Sequence, residues 1–275
     1  MNSRGFTLVE LLVGTVVMSV LGIALVRMML SDTRFVSKQE AMVSARQTSR
    51  GTLNTMDVEL RMISDSGLVT ARPDSVRAHI PYAFGVSCGS TGASTIIAAL
   101  VPPDSLLYDN AVVGGMAHQR ADGTYRTEPG VSVASSSNLS ECSADSIFVV
   151  PGGRLVQVSG ITDSLPDAGR IFYLYQDVTY RFAESAEIPG RLGLWRKSGA
   201  AAYEELAAPF DTSSGFRCLV GINLQPTTCP PAGGEDSTRG LELRIVGASE
   251  HPPRGSDDPM TFELIARLPF LNKVN

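Results

Sequence analysis

The first thirty positions, MNSRGFTLVELLVGTVVMSVLGIALVRMML, are apolar almost without interruption, and no later stretch matches them. Between Phe6 and Leu30 the only formal charges are Glu10 and Arg27. As a helix this run is roughly 38 Å long, enough to cross a bilayer core of about 30 Å with some tilt. From Ser31 onward the apolar positions thin to a stripe: Phe35, Met42, Ala45, Leu53, Met56, Leu60 and Ile63, with Ser49 as its polar member. Steps of seven, three and four residues keep these positions on one helix face. Lys38, Arg46, Arg50, Asp57, Glu59 and Arg61 fall on the opposite side. No proline precedes Pro73, and Gly51 is the only glycine between Ser31 and Ile63. The pattern predicts one helix from Phe6 to about Ser64, nearly 90 Å long. Its first half (6–30) is apolar all round. Its second half (31–66) has one face that must pack on the rest of the chain.

Residues 65–76 read as an exit loop, and beyond them the period shortens toward that of strands. Ser94–Leu100 is a β-rich apolar segment. Asp122-Gly123 inside 117–127 marks a hairpin. Pro151-Gly152-Gly153 inside 145–158 marks a second one. In 171–183, Val178, Tyr180 and Phe182 alternate with Asp177, Thr179 and Arg181. Leu192–Lys197, Phe216–Ile222, Leu241–Val246 and Thr261–Leu268 complete the set, the last two with the alternation of half-buried antiparallel strands. The segments 227–240 and 249–259 are loop-like, the latter expected to be exposed and mobile. The fold class is therefore α+β: a long N-terminal helix, part transmembrane and part amphipathic, packed on a mostly antiparallel β-sheet head spanning 67–275.

Composition adjusts this picture in a few places. The 26 glycines and 16 prolines suit a turn-rich β head. A net charge of −5 gives no basic footprint for nucleic acid, and no nucleic-acid partner is expected. The four cysteines, Cys88, Cys142, Cys218 and Cys229, lie far downstream of the anchor and show no CxxC spacing. In an exported head they would form disulfides. Cys218 and Cys229 close a short loop, which leaves Cys88 with Cys142; this is the expected pairing among the three possible. Arg27 near the end of the apolar run, with Arg34 and Lys38 beyond it, outweighs Arg4 and the initiator amine before it, so charge counting does not favour an exported C-terminus.

The residue that needs an explanation is Glu10. A carboxylate in hydrocarbon is costly, on the order of 2.5–3.5 kcal/mol at a helix centre. Near the headgroups it would mean little. Alternatively it takes a cation, and the best placed is a new amino terminus at Phe6, i, i+4 from Glu10 on one helix face.

The stretch Arg4-Gly5-Phe6-Thr7-Leu8-Val9-Glu10-Leu11-Leu12-Val13 resembles the start of the type IV pilin and pseudopilin superfamily. The resemblance implies that residues 1–5 are a prepilin leader. A membrane-embedded prepilin peptidase would cut between Gly5 and Phe6 and N-methylate Phe6, and Glu10 would be the acid that pairs with a neighbour's Phe6 amine in assembly. A secretory signal peptide has its apolar region before the cleavage site, so here the anchor would stay with the mature protein. Pro81-Tyr82-Ala83-Phe84-Gly85, Val178–Phe182, Gly193–Lys197 and Arg267–Asn272 are similar to the PilW-like minor pilins and the J-type pseudopilins. The implied partners are prepilin peptidase, other pilin or pseudopilin subunits, the inner-membrane assembly platform and the inner membrane itself. The implied location is a single-pass inner-membrane protein with a periplasmic head, later part of a pilus or of a type II secretion pseudopilus, in a tip or initiation complex.

The competing reading is a membrane-tethered periplasmic binding module or enzyme with a pilin-like anchor. Its support is thin. Gly85-Val86-Ser87-Cys88-Gly89 satisfies GxSxG, but a hydrolase needs Ser87 on a strand-to-helix elbow, and the β-α-β alternation is missing. His79, His118 and His251 are scattered without ligand spacing and are expected at the surface. Glu235-Asp236 and Asp257-Asp258 lie in polar loops without a DxDxDG pattern and are expected to be solvated. Thr15, Ser19 and Gly22 offer small residues for close helix contact. No catalytic residue, metal or cofactor is expected.

Overall fold

The computed structural model describes residues 8–64, 67–108 and 112–270. Helix α1, Leu8–Leu60, has 53 residues and is about 80 Å long. It ends where tighter bonds replace the regular ladder, Met62 N–H to Glu59 O at 3.2 Å and Ile63 N–H to Leu60 O at 3.3 Å. In place of an exit loop the chain then forms a short strand, β1 (Leu68–Ala71), and turns into a long one, β2 (Ser75–Gly92).

The remaining elements follow in chain order. They are β3 (Thr95–Leu100), α2 (Pro102–Tyr108), β4 (Gly115–Gln119), β5 (Tyr125–Pro129), β6 (Ser132–Ser135), α3 (Ser140–Ala144), β7 (Arg154–Ser159) and β8 (Ile171–Glu184). After these come β9 (Leu192–Ser198), β10 (Glu204–Phe210), β11 (Gly215–Val220), β12 (Gln225–Thr228), β13 (Thr238–Ala248) and β14 (Thr261–Pro269). The strands form one 14-stranded sheet whose main path runs β12-β11-β13-β10-β9-β8-β2-β3-β7-β6. Every pairing is antiparallel. The architecture is thus a long N-terminal helix followed by a large antiparallel sheet, an α+β pilin-like arrangement.

β2 and β8 are the trunk. They pair from Ser75↔Arg181 to Val86↔Ile171, with a register shift between Pro81 and Ala83. A proline has no N–H for the ladder, so a bulge is where a central strand can hold one. The even positions of β8 feed two cores. Val178, Tyr180 and Phe182 join Met56, Leu60 and Ile63 under the end of α1, with Leu194, Phe210, Phe216, Leu241, Leu243 and Ile245. Phe172 and Leu174 join a distal core with Ala83, Ile96, Ala98, Leu100, Met116, Val156 and Val158.

Two sequence expectations are corrected here. The Asp122-Gly123 hairpin forms as β4–β5, with Gly123 at φ 85°, but the second hairpin does not. Of its two arms only β7 is a strand, because both edges of β7 are already taken by β3 and β6. Phe148 is left 77% exposed. The loop 249–259 is not detached either. It folds back on α1, where Arg254 N–H donates to Ser37 Oγ at 3.0 Å and Pro253 is buried.

Disulfides join Cys88 in β2 to Cys142 in α3, and Cys218 in β11 to Cys229 just past β12. All four cysteines are buried.

Candidate assembly site along the N-terminal helix

α1 divides sharply by exposure. Every described position from Leu8 to Val36 is exposed. This half contains a window of mean hydropathy 2.4, so the helix is long and apolar enough to cross a membrane by length and composition. Two of its hydroxyls bond within the helix: Thr15 Oγ1 donates to Leu12 O at 2.9 Å and Ser19 Oγ to Thr15 O at 2.7 Å. Gly14 and Gly22 have open space where a Cβ would stand, so close approach of another helix meets no side chain there. Glu10 sits on the exposed surface near the start of α1. Gly5 and Phe6 lie outside the described residues.

The second half docks. The buried positions are Ala45, Ser49, Thr52, Met56 and Leu60, steps of four, three, four and four. The expected stripe therefore holds from Ala45 onward. Phe35, placed on it by spacing, is 63% exposed because the sheet does not reach that far down the helix. Ser49, which looked like a gap in the stripe, is its tightest point. Its hydroxyl accepts the Gly247 N–H at 2.9 Å and lies 2.8 Å from Phe262 O and 3.0 Å from Ala45 O, either of which can take its proton. A Cβ at Gly247 would strike Ala45 O and Ser49, so only glycine lets α1 close on β13 here.

Charge fixes the upper end. Glu59, expected on the solvated face, turns toward the sheet. Its carboxylate accepts the Tyr180 hydroxyl at 2.6 Å and Arg196 Nη2 at 3.0 Å. Arg196 and Glu59 are each about a quarter exposed, 24% and 25%. Arg46 also reaches the head, its guanidinium 5.1 Å from the centre of the Phe262 ring. Asp57 and Arg61 remain a surface i, i+4 pair at 2.6 Å. Spacing alone missed Glu59 because it borders the stripe. The signal lies on the partner strands, where Tyr180 and Arg196 stand opposite each other across β8 and β9.

The other chemical candidates are dispersed. Ser87 is buried inside β2, beside bridged Cys88, rather than on an elbow. His251 is exposed, but His118 is 2% exposed, carried inward because β4 pairs with the buried start of β8. His79 stacks on Tyr175 at 4.1 Å between ring centres. Burial pushes both imidazoles below the usual histidine value, with Asp177 opposing at His79 and Glu128 at His118. No group of three or more His, Cys, Asp or Glu side chains among the described residues is arranged to hold a metal.

Comparison with curated proteins and with solved structures returns no match. A family model, the prokaryotic N-terminal methylation motif, matches residues 1–26. That match covers Gly5, Phe6, Glu10 and most of the apolar half of α1. At its N-terminus the chain carries a type IV pilin-class signal.

Proposed function

We propose that the chain is a minor pilin or pseudopilin, a structural subunit rather than an enzyme. Prepilin peptidase cuts between Gly5 and Phe6 and methylates the Phe6 amine. Residues 6–30 then hold the subunit in the inner membrane with its disulfide-bonded head in the periplasm, until an assembly platform draws it into a short fibre, near the tip or in the initiating complex. The observation that carries this reading is one helix with two fates: a fully exposed apolar half bearing the methylation motif, and a second half buried on the sheet. Such a helix offers its free half to lipid first and to neighbouring helices afterwards.

Glu10 would pair with the Phe6 amine of a neighbour. At an effective dielectric of about 20, opposite charges about 4 Å apart attract by about 4 kcal/mol, against about 1 kcal/mol in water. Desolvation offsets part of this, so the pair mainly selects the register of assembly. The test is Glu10→Ala in cells: processing should persist while incorporation into the fibre falls. Wild-type incorporation would overturn the pairing.

A further inference from the structure

Just above the apolar half of α1, three cations converge on one groove. It is lined by Arg34, Lys38 and Arg254 together with Phe35, Ser256 and Met260, and encloses about 290 Å³. Arg34 lies against Gly255, whose φ is +82°; a Cβ there would stand 3.3 Å from Arg34 Nε, so the loop backbone passes close over the guanidinium. The loop is held in place by buried Pro253 and by the Arg254 N–H bond to Ser37. Among the described residues none of the three cations has a carboxylate partner. The loop acids Asp257 and Asp258 are exposed and do not line the groove.

Its height matters. Leu30 ends the apolar run, so Arg34 stands about 6 Å and Lys38 about 12 Å further along the axis. A bilayer adds about 5–8 Å of headgroup layer per leaflet to its hydrocarbon core. Long basic side chains bend their charged ends toward that layer. We infer that this groove binds the phosphodiester headgroup of an anionic phospholipid such as phosphatidylglycerol, seating the head on the membrane surface. This rests on residues 6–30 being a membrane anchor. Phe35, 63% exposed beside the cations, supplies an apolar contact at the same level.

The full chain is reconstituted in nanodiscs of phosphatidylcholine containing phosphatidylglycerol, released into mild detergent, and its retained lipids are counted by native mass spectrometry. The wild type should keep phosphatidylglycerol in preference to phosphatidylcholine. Arg34→Gln/Lys38→Gln/Arg254→Gln should lose that preference by about tenfold or more, while Arg34→Lys/Arg254→Lys keeps most of it. Both variants should retain circular dichroism and both disulfides, since the three side chains are exposed. Equal phosphatidylglycerol retention by wild type and the triple Gln variant overturns the site. Displacement of the lipid by inorganic phosphate overturns the lipid assignment. A wild-type chain that does not enter nanodiscs at all overturns the anchor, and the inference with it.

Discussion

Ser49 Oγ accepts the backbone N–H of Gly247 at 2.9 Å, and glycine at 247 is what lets helix and strand come that close. This contact joins the two halves of the molecule's design: the helix that carries the N-terminal signal and the sheet that makes the head. Gly247→Ala should loosen it by overpacking, at a cost of about 1–3 kcal/mol. Ser49→Ala should cost about as much, by leaving the Gly247 N–H without its acceptor in a buried place. Thermal unfolding of the full chain in detergent should show a midpoint lower by a few degrees in each case. An unchanged midpoint in Gly247→Ala would mean that α1 does not sit on β13 as described.

The half-buried pair of Glu59 and Arg196 makes a different prediction. Glu59→Ala leaves both the Arg196 guanidinium and the Tyr180 hydroxyl without their shared acceptor. The loss should be about 2–3 kcal/mol, less than for a fully buried pair because both members are about a quarter exposed. Glu59→Met with Arg196→Met should recover much of it, since an apolar pair leaves no uncompensated charge. A double variant less stable than Glu59→Ala would contradict this.

Acid should weaken the head in two steps. His79 and His118 are held below the ordinary histidine value by burial, so the unfolded chain binds protons more readily than the folded one. Stability therefore rises with pH through this window, and it falls as pH drops below about 6.5. His118→Phe should flatten that slope in a urea titration repeated across pH. Asp177 acts lower. Its hydrogen bond and charge interaction with Arg77 hold its carboxyl below the usual range. Its contribution is present above about pH 4 and lost as pH falls through the folded value, and Asp177→Asn should remove this second step. Arg77 is about half exposed, so that step should be small.

The two disulfides should differ in weight. Cys88–Cys142 closes a sequence separation of 54, Cys218–Cys229 one of 11. On loop entropy alone these correspond to about 4.2 and 2.8 kcal/mol. Replacing the first pair by serine should lower the unfolding midpoint more than replacing the second; the reverse order would show that local packing outweighs loop length.

How much of this was legible in the sequence differs by element. α1 was, because proline is absent and the stripe repeats. β8 and β14 were, because their alternation is clean; β13 was as a strand, but it is buried on both faces where alternation promised one. β2 was not: Pro81, Gly85 and Gly89 interrupt its pattern, and its ladder depends on a bulge that only β8 defines. Nor was β10, whose register shifts twice against β9. The run before Gly152 has strand composition, yet pairing capacity decides, and β7 has no free edge. In the candidate site, Glu10 and the apolar half stood out by composition. Ser49, Gly247 and Glu59 did not, because their meaning lies in residues far along the chain.

The central claim is that residues 1–5 are a leader removed before assembly. The most direct measurement is the mass and N-terminal sequence of the protein recovered from cells that hold prepilin peptidase, with Gly5→Leu alongside. The account predicts a chain starting at N-methylated Phe6 for the wild type and an uncut chain for Gly5→Leu. A wild-type chain that still begins at Met1, or one cut beyond the apolar run near Leu30, would contradict it.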